Sequence, residues 1–360
     1  MPFATHLSSS LSRRSFLARS AATMAAAAAG PTLLTACGSD AADAGAGERV
    51  TFLSYLPLET LSLAPELLAV AGGHFADHGL NVTMQPVKGS PQAMQTLLAG
   101  SGPITRIGQI DVMTAVAKTK QPLVNIGTLT RGSSVRFVYS KDNVDLANPE
   151  SLIGKTMGVP SEGGTSDKVV SLVLANSGLD PAQVTRQVVG LTPGTFNLVQ
   201  QGRLAGYVVS IDTANVVLSQ HADAGVFDPG TVVKSDSQVY VATKDGLTKN
   251  KKILQSFMAG IRDALAAMVE DESFDKTLES LRGEYSFASL DDDKIARASL
   301  TEMRGLWTGG DPAEPLLVTD EAAWVAGYDE LTAAEVATPG GDAKAWFDNS
   351  MLPKGEAGAQ

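Results

Sequence analysis

The chain has 360 residues, of which 44% are hydrophobic, and a formal net charge of −11. This length is sufficient for one large globular unit or for two coupled lobes with sizeable cores. The acidic balance argues against nucleic acid and anionic lipid as partners, because both bind basic patches. Cys37 is the single cysteine, so no disulfide can form within the chain.

The first 36 residues have the layout of an export leader, with a basic start, an apolar middle and small residues before Cys37. Arg13 and Arg14 resemble the twin-arginine export signal. Leu34-Thr35-Ala36 before Cys37 resembles the lipobox of bacterial lipoproteins, in which the cysteine receives a diacylglycerol. An uncut membrane anchor is the alternative, but the uncharged run is shorter than the ~20 apolar residues that cross a bilayer.

These features predict a cleaved twin-arginine-type lipoprotein signal peptide over residues 1–36 and lipidation of Cys37. Residues 37–49 are rich in Ala, Gly and Asp and predict a flexible tether. The leader holds three of the 28 basic residues and none of the 39 acidic ones, which leaves the remainder of the chain at −14. We therefore expect an extracytoplasmic protein, anchored by lipid to the outer face of the cell membrane.

After the tether, strands alternate with helices. Apolar, β-rich runs predict strands at 50–55, 80–87, 104–110 and 123–128. The helices between them are predicted at 65–78, 91–100 and 112–118, with Pro65 and Pro91 at helix starts, Ser90 as a cap, and Gly79 and Gly100 as stops. This rhythm predicts an α/β fold with a mainly parallel sheet, whose ligand sites lie at the carboxyl ends of the strands.

Three stretches resemble the nitrate/sulfonate/taurine-type ABC-transporter substrate-binding proteins. Residues 73–82, GHFADHGLNV, are similar to the family's G-x-F-x-x-x-G-L-x-V pattern between first helix and second strand. Residues 152–160, LIGKTMGVP, are similar to the start of the family's second lobe, and residues 178–184, GLDPAQV, to the linker that follows. Pro103 and Ala205 stand where the family usually has an aspartate.

The resemblance implies a two-lobed periplasmic-binding-protein-like fold, each lobe a mainly parallel sheet with helices on both faces. Lobe 1 is expected at 50–135 and 238–360, and lobe 2 at 136–237, with two hinge crossings near 136–139 and 238–242. The implied function is capture of a small polar organic or anionic molecule (sulfonate, nitrate, taurine-like or pyrimidine-like) and its delivery to ABC importer permease subunits. No cofactor is implied, and a monomer is expected.

The ligand site is expected at strand ends and helix starts that face the cleft. Arg131 and the helix starts favour an anion, whereas Glu162 and Asp212 favour an amine or amidine. The null hypothesis for the turn 162–166 is a plain helix cap. The candidate ligand-binding residues are Ser54, Tyr55, Ser90, Gln109, Thr128, Thr130, Arg131, Glu162, Thr165, Ser166, Thr192 and Asp212.

Four other interpretations have less support in the sequence. His74 and His78 have metal-ligand spacing, but no Glu-x-x-His completes a zinc motif, and no metal is expected. The eukaryotic thiamine-pyrimidine synthesis proteins share the implied architecture but use a cysteine-rich stretch and a pyridoxal-bearing lysine; the single cysteine argues against this enzyme. A transcription-regulator effector domain would need a helix-turn-helix and a cytoplasmic location. Hydrolase motifs such as Gly-x-Ser-x-Gly are absent, so no enzymatic activity is expected.

Overall fold

The structure, a computed structural model, describes residues 47–353. Arg13, Arg14, Cys37 and nearly all of the predicted tether lie outside the described residues, so the export and lipidation predictions remain predictions. Between residues 47 and 353, no helix is both long enough and apolar enough to span a bilayer.

The described residues form two five-stranded sheets. The strands, in chain order, are β1 (Glu48–Ser54), β2 (Leu80–Pro86), β3 (Ile104–Gly108), β4 (Leu123–Thr128), β5 (Val135–Ser140), β6 (Thr156–Val159), β7 (Thr185–Val188), β8 (Gly206–Ser210), β9 (Ala224–Phe227) and β10 (Gln238–Thr243). The first sheet has the order β2-β1-β3-β10-β4 and the second β7-β6-β8-β5-β9. We call the parts built on these sheets lobe 1 and lobe 2.

Each sheet has four strands running in one direction and one inserted strand that is antiparallel to both of its neighbours. The inserted strand is β10 in lobe 1 and β5 in lobe 2. The chain passes between the sheets twice, through residues 129–134 after β4 and residues 228–237 after β9. The predicted two-lobed α/β fold with two crossings is therefore confirmed. The predicted positions of the crossings are wrong: 136–139 and 238–242 lie within β5 and β10, and each crossing comes just before one of these strands.

Helices follow most strands and cover the sheets. They are α1 (Ala64–Ala71), α2 (His74–Asp77), α3 (Gly89–Leu98), α4 (Gln109–Thr119), α5 (Thr165–Asn176), α6 (Phe196–Gln200), α7 (Ile211–Gln220), α8 (Lys244–Lys249), α9 (Lys251–Glu270), α10 (Asp275–Glu284), α11 (Ala288–Asp291), α12 (Asp293–Thr308) and α13 (Glu321–Ala333). The lobes match element by element: β1, α1, β3 and α4 in lobe 1 correspond to β6, α5, β8 and α7 in lobe 2.

Aromatic rings join the early and late parts of lobe 1. Phe52 of β1 stacks on Phe257 of α9 with ring centroids 5.4 Å apart, and Phe75 lies 4.7 Å from Phe257. The apolar face of α9 is buried against this cluster, as its helical periodicity predicts. The core also contains three buried tryptophans, Trp307, Trp324 and Trp346.

Two helix predictions differ from the structure. The single helix expected over 65–78 is two helices, because Gly73 between α1 and α2 adopts a left-handed φ of +78°, which ends one helix and reorients the next. Ser90 does not cap its helix: α3 begins one residue earlier, at Gly89, and Ser90 lies within its first turn. The sequence shows that residue 73 is a glycine, which can adopt this conformation, but it does not show that the conformation is adopted.

Candidate functional site

A cavity lies between the two lobes at the carboxyl ends of β1, β6 and β8. Its walls come from lobe 1, lobe 2 and the first crossing, at Ser134. Atom-free space amounts to about 530 Å³ including the open mouth, but the centre of a water molecule can reach only about 40 Å³ of it. The cavity is therefore narrow where the lobes face each other. The polar lining residues are Tyr55, Ser62, Ser90, Ser134, Ser161, Thr165, Ser166, Ser210 and Gln238.

Tyr55, just after β1, forms part of the lobe 1 wall. Behind it, the Arg106 guanidinium lies 5.8 Å from the ring centroid and forms an ion pair of 3.0 Å with Glu66. Tyr240 donates a hydrogen bond of 2.8 Å to the same carboxylate. Burial raises the pKa of Tyr55 to about 12, so its phenol stays neutral. Burial also raises the pKa of Glu66, which the Arg106 guanidinium opposes. Tyr55 therefore presents a neutral ring above a neutralised ion pair.

Gln238 begins β10, where the second crossing enters lobe 1. Its backbone N–H donates to Thr130 Oγ1 at 2.9 Å and its carbonyl accepts from the Leu129 N–H at 2.8 Å. These bonds to the first crossing fix its position. The side chain is 3% exposed and lines the cavity, yet its Oε1 has no hydrogen-bond partner in the described protein.

Asp236 lies two residues before Gln238, in the second crossing. Ser133 of the other crossing donates to its Oδ2 at 2.6 Å, while Oδ1 has no partner among the described residues. Burial raises the pKa of Asp236 to about 6, with Asp111 and Asp228 adding to the effect and Ser133 and Arg136 opposing it. The crossings are therefore joined side to side by a carboxylate that is only partly satisfied.

Close approach of the lobes at the cavity rim requires two glycines. A Cβ on Gly108, at the end of β3, would lie 2.2 Å from Thr165 Oγ1 of lobe 2. A Cβ on Gly89 would lie 2.5 Å from Ser161 Oγ. Beside them, the hydroxyls of Ser90 and Thr165 are 3.5 Å apart. The starts of α3, α4 and α5 thus meet across the cleft without room for another methyl group.

Asp111, in the first turn of α4, is buried and contacts lobe 2. Its Oδ2 accepts a hydrogen bond from Thr165 Oγ1, and its Oδ1 is paired with Lys168 Nζ of α5. The carboxylate is fully enclosed, whereas the Lys168 side chain is 19% exposed. One carboxylate of lobe 1 therefore holds the beginning of a lobe 2 helix.

Asp212 occupies the corresponding place in lobe 2, in the first turn of α7. Its Oδ1 accepts from Thr60 Oγ1 at 3.0 Å, and its Oδ2 accepts from the Leu61 N–H at 3.0 Å and from Ser289 Oγ at 2.7 Å. Asp212 is 1% exposed and does not line the cavity. Its oxygens therefore hold the turn after β1 in lobe 1 and the short helix α11.

Four of the twelve residues predicted to bind ligand line the cavity, and three others lie around a second cavity. The four are Tyr55, Ser90, Thr165 and Ser166. The three are Gln109, Thr128 and Arg131, which line a cavity between β4, the second crossing and α13. Arg131 does not offer a free cation there, because its guanidinium pairs with Glu314 at 2.8 Å and donates to the Pro315 carbonyl at 2.6 Å.

The remaining five lie outside both linings. Ser54 donates to the Leu56 carbonyl, and Thr130 accepts from the Gln238 N–H. Glu162 and Thr192 are exposed. Asp212 is enclosed by its three donors, as described above. Thr165 is the first residue of α5 and Gly164 its N-cap, so the turn 162–166 is not a side-chain-capped helix start.

Several lining residues were not predicted, above all Gln238, Ser161 and Ser210. Ser210 ends β8 and Ser161 follows β6, so the strand-end rule that selected Tyr55 applies to them equally. The strand-end rule does not select Gln238, because this residue begins an antiparallel strand.

No group of three or more His, Cys, Asp or Glu side chains within residues 47–353 is arranged to hold a metal ion. His78 Nε2 lies 2.7 Å from Asp263 Oδ2 on α9. That contact joins α9 to the turn after α2, at the surface of lobe 1.

Comparisons with known proteins agree with this architecture. A family model described as NMT1/THI5 like matches residues 61–273, more than half of the chain. The chain is 26% identical over 313 residues to riboflavin-binding protein RibY of Chloroflexus aurantiacus, covering 84% of this chain and 85% of that protein.

Solved structures with the same fold include two periplasmic binding proteins. The aliphatic sulphonate binding protein SsuA from Escherichia coli has a TM-score of 0.59 and 15% identity, covering 83% of this chain and 97% of that one. The nitrate-binding protein NrtA from Synechocystis PCC 6803 has a TM-score of 0.60 and 14% identity, covering 85% and 88%. At these identities the likeness concerns the fold.

Proposed function

This chain belongs to the NMT1/THI5-like family, as its motifs predict, and from that membership and its interlobe cavity we propose that it is the solute-binding component of an ABC import system. The observation that carries the proposal is a cavity lined from both lobes and from the first crossing, in which hydroxyl groups lie among apolar groups. Such an arrangement encloses a small molecule when two lobes rotate about their crossings. The relatives named above as binding proteins for riboflavin, sulphonates and nitrate support the same role.

In this role the protein captures a small polar molecule outside the cytoplasm and presents it to permease subunits, without covalent chemistry. The interlobe bonds of Asp111 stabilise the closed arrangement that a permease would recognise. The alternative, a thiamine-pyrimidine synthesis-type enzyme, needs a lysine at its cofactor. No lysine is among the residues of the described chain that line the cavity.

Two experiments test the proposal: a ligand screen, and a substitution that hinders closure of the lobes. Thermal shift is measured for the purified chain with nitrate, sulfonates, taurine, pyrimidines, flavins and amino acids, and the Kd of any stabilising compound is determined by calorimetry. Gly108→Ala places a methyl group against Thr165, which hinders closure, so we expect at least tenfold weaker binding.

Gly283→Ala is the matched control. It adds the same methyl group on α10, where no atom lies within 4 Å, and we expect a Kd within about twofold of the parent. A chain that is stabilised by no compound of the screen, or a Gly108→Ala variant that binds as tightly as the parent, would overturn the proposal.

The proposed location rests on the leader. We propose that Cys37 carries the lipid and that Arg13 and Arg14 direct export by the twin-arginine route. In the native host, Cys37→Ala is expected to move the protein from the membrane fraction to the soluble fraction. Retention of the variant in the membrane at the parental level would contradict the lipid anchor and leave the binding function untouched.

A further inference from the structure

Basic residues collect at the end of lobe 1 that is remote from the cleft. β1, β3 and β4 begin at this end, and β10 ends there, with Thr243 opposite Leu123. The Lys244 N–H donates to the Pro122 carbonyl at 2.8 Å, which joins the start of α8 to the segment before β4. We call this surface the basic pole, after its seven exposed basic residues: Arg49, Lys118, Lys120, Lys244, Lys249, Lys251 and Lys252.

The basic pole has the opposite charge from the chain as a whole. Residues 244–252 contain four lysines and one aspartate, whereas the chain has 28 basic and 39 acidic residues. Asp245 pairs with Lys249 at 2.6 Å, and no other residue of the pole is in an ion pair within residues 47–353. Glu48 and Asp77 are exposed beside the starts of β1 and β2. The pole therefore keeps an excess of positive charge.

The stability of the helices does not explain three of these lysines. Lys244 is the first residue of α8, and Lys251 and Lys252 are the first two residues of α9. The first turn of α9 contains no acidic residue. Because the amino end of a helix carries partial positive charge, a cation there is unfavourable. These lysines therefore add positive potential to the surface at the expense of the helix, which indicates a role outside the fold.

The path of the chain brings the basic pole close to the proposed lipid. The described residues begin at this pole, with residue 47 just before β1. Ten positions separate Cys37 from residue 47, and a fully extended chain of that length spans at most about 35 Å. A lipid on Cys37 therefore leaves the pole within reach of phospholipid headgroups. The cavity between the lobes lies at the other end of the same strands.

We propose that the basic pole docks on the anionic phospholipid headgroups of the membrane. The inference goes beyond solute binding, and its geometry rests on the proposed lipid at Cys37. The net charge of the whole chain predicts repulsion from such a surface, but the Debye length at physiological ionic strength is only ~8 Å. The seven residues of β1 alone span about 23 Å between the pole and the cleft. Acidic residues near the cleft and in lobe 2 are therefore screened from a membrane at the pole.

Cosedimentation with vesicles tests the docking. The probe is the chain from residue 37 onward with Cys37→Ala, which lacks the leader and the lipid but keeps both complete sheets. Its vesicles consist of phosphatidylcholine alone, or of phosphatidylcholine with about 40% phosphatidylglycerol as the anionic lipid. We expect binding to the anionic vesicles alone, and loss of this binding in about 1 M salt, where the Debye length is ~3 Å.

A charge-reversal variant of the pole sharpens the test. Each new glutamate lies in the first turn of a helix, where an acidic residue is favourable, so the variant should fold. Since one lysine near an anionic surface is worth on the order of fivefold in affinity, we expect at least tenfold weaker binding to the anionic vesicles. Circular dichroism and melting temperature check the fold. The variant combines Lys244→Glu, Lys251→Glu and Lys252→Glu.

The control variant changes the net charge by the same amount in lobe 2. Its three positions are exposed and lie at the ends of strands β5, β6 and β8. Because they are far from the basic pole, we expect binding to the anionic vesicles within about twofold of the parent. The control combines Lys141→Glu, Lys155→Glu and Arg203→Glu.

The remaining outcomes contradict the docking. A parent chain that binds neither kind of vesicle, or both equally, would overturn it, as would a folded pole variant with parental affinity. Equal losses in the two charge-reversal variants would assign the attraction to net charge and remove the pole as its source. None of these results bears on solute binding, which the ligand screen measures separately. The probe carries no lipid, so they leave the anchor at Cys37 untested as well.

Discussion

The two lobes each offer a buried carboxylate to the other, but Asp111 and Asp212 are satisfied by different donors. Asp111 meets one hydroxyl and the ammonium group of Lys168, whereas Asp212 meets two hydroxyls and the backbone N–H of Leu61. Lys168 can move into water when the lobes separate, because it is partly exposed; Leu61 is fully buried and cannot. The difference predicts that the Asp111 contact breaks on opening and that the Asp212 contact persists.

The largest effect is expected from Asp212→Ala. Three buried donors lose a charged acceptor, so the free energy of unfolding should fall by about 3–5 kcal/mol. Denaturant unfolding followed by circular dichroism measures it, with Asp212→Asn as a variant that retains one acceptor oxygen. A loss below about 1 kcal/mol would show that water replaces the carboxylate and that the contact is no part of the permanent frame.

Asp111→Ala should destabilise less, by about 1–2 kcal/mol, because Lys168 regains water. Its main effect should be on the lobes: small-angle scattering of the unliganded chain is expected to give a larger radius of gyration. In about 1 M salt, where the Debye length is ~3 Å, the radius of gyration of the parent should also increase, whereas that of the Asp111→Ala variant should not change. Lys168→Met, which removes the other member of the ion pair, is the matched variant. Asp111→Ala and Asp212→Ala variants with equal stability losses would erase the proposed difference between the two contacts.

Asp236 has the opposite effect on stability from Asp111 and Asp212, because one of its oxygens has no partner among the described residues. Its pKa in the folded chain is about 6, above its ordinary value of 3.8, so the folded state binds more protons than the unfolded state between these pH values. Stability from this group is present below pH 4 and is lost as pH rises through 6.

Asp236→Asn should therefore stabilise the chain at pH 7, by up to about 3 kcal/mol, and the gain should disappear near pH 4. Melting temperatures of parent and variant from pH 4 to pH 8 measure the difference. A gain that is the same at both ends of the range would mean that Asp236 does not titrate as its burial requires.

Much of the fold followed from local signals, and the site followed in part. Strand and helix periodicity located most elements, and the rule that ligands sit at strand ends and helix starts found Tyr55, Ser90 and Thr165. The same rule placed Arg131 in the site, but Glu314, far along the chain, neutralises it in another cavity.

Contacts between distant segments account for the rest. The sequence predicts that Asp212 faces the cleft. Its hydroxyl and amide partners, at Thr60 and Leu61, lie about 150 positions earlier in the chain, and no sequence pattern indicates these contacts. The sequence predicts Gln238 to be part of a crossing. Only the antiparallel insertion of β10 beside β3, with Gln238 opposite Gly108, brings the start of that strand to the cleft.

The interleaved path of the chain also sets an order of assembly during synthesis. Lobe 2 draws all five of its strands from one continuous stretch, β5 to β9, so its sheet can form as soon as that stretch has been made. Lobe 1 is begun first, yet its sheet lacks a strand until β10 appears, and Phe52 has no stacking partner until Phe257 has been made. On the ribosome, the lobe that starts first is therefore completed last, and its half-built core must be protected meanwhile.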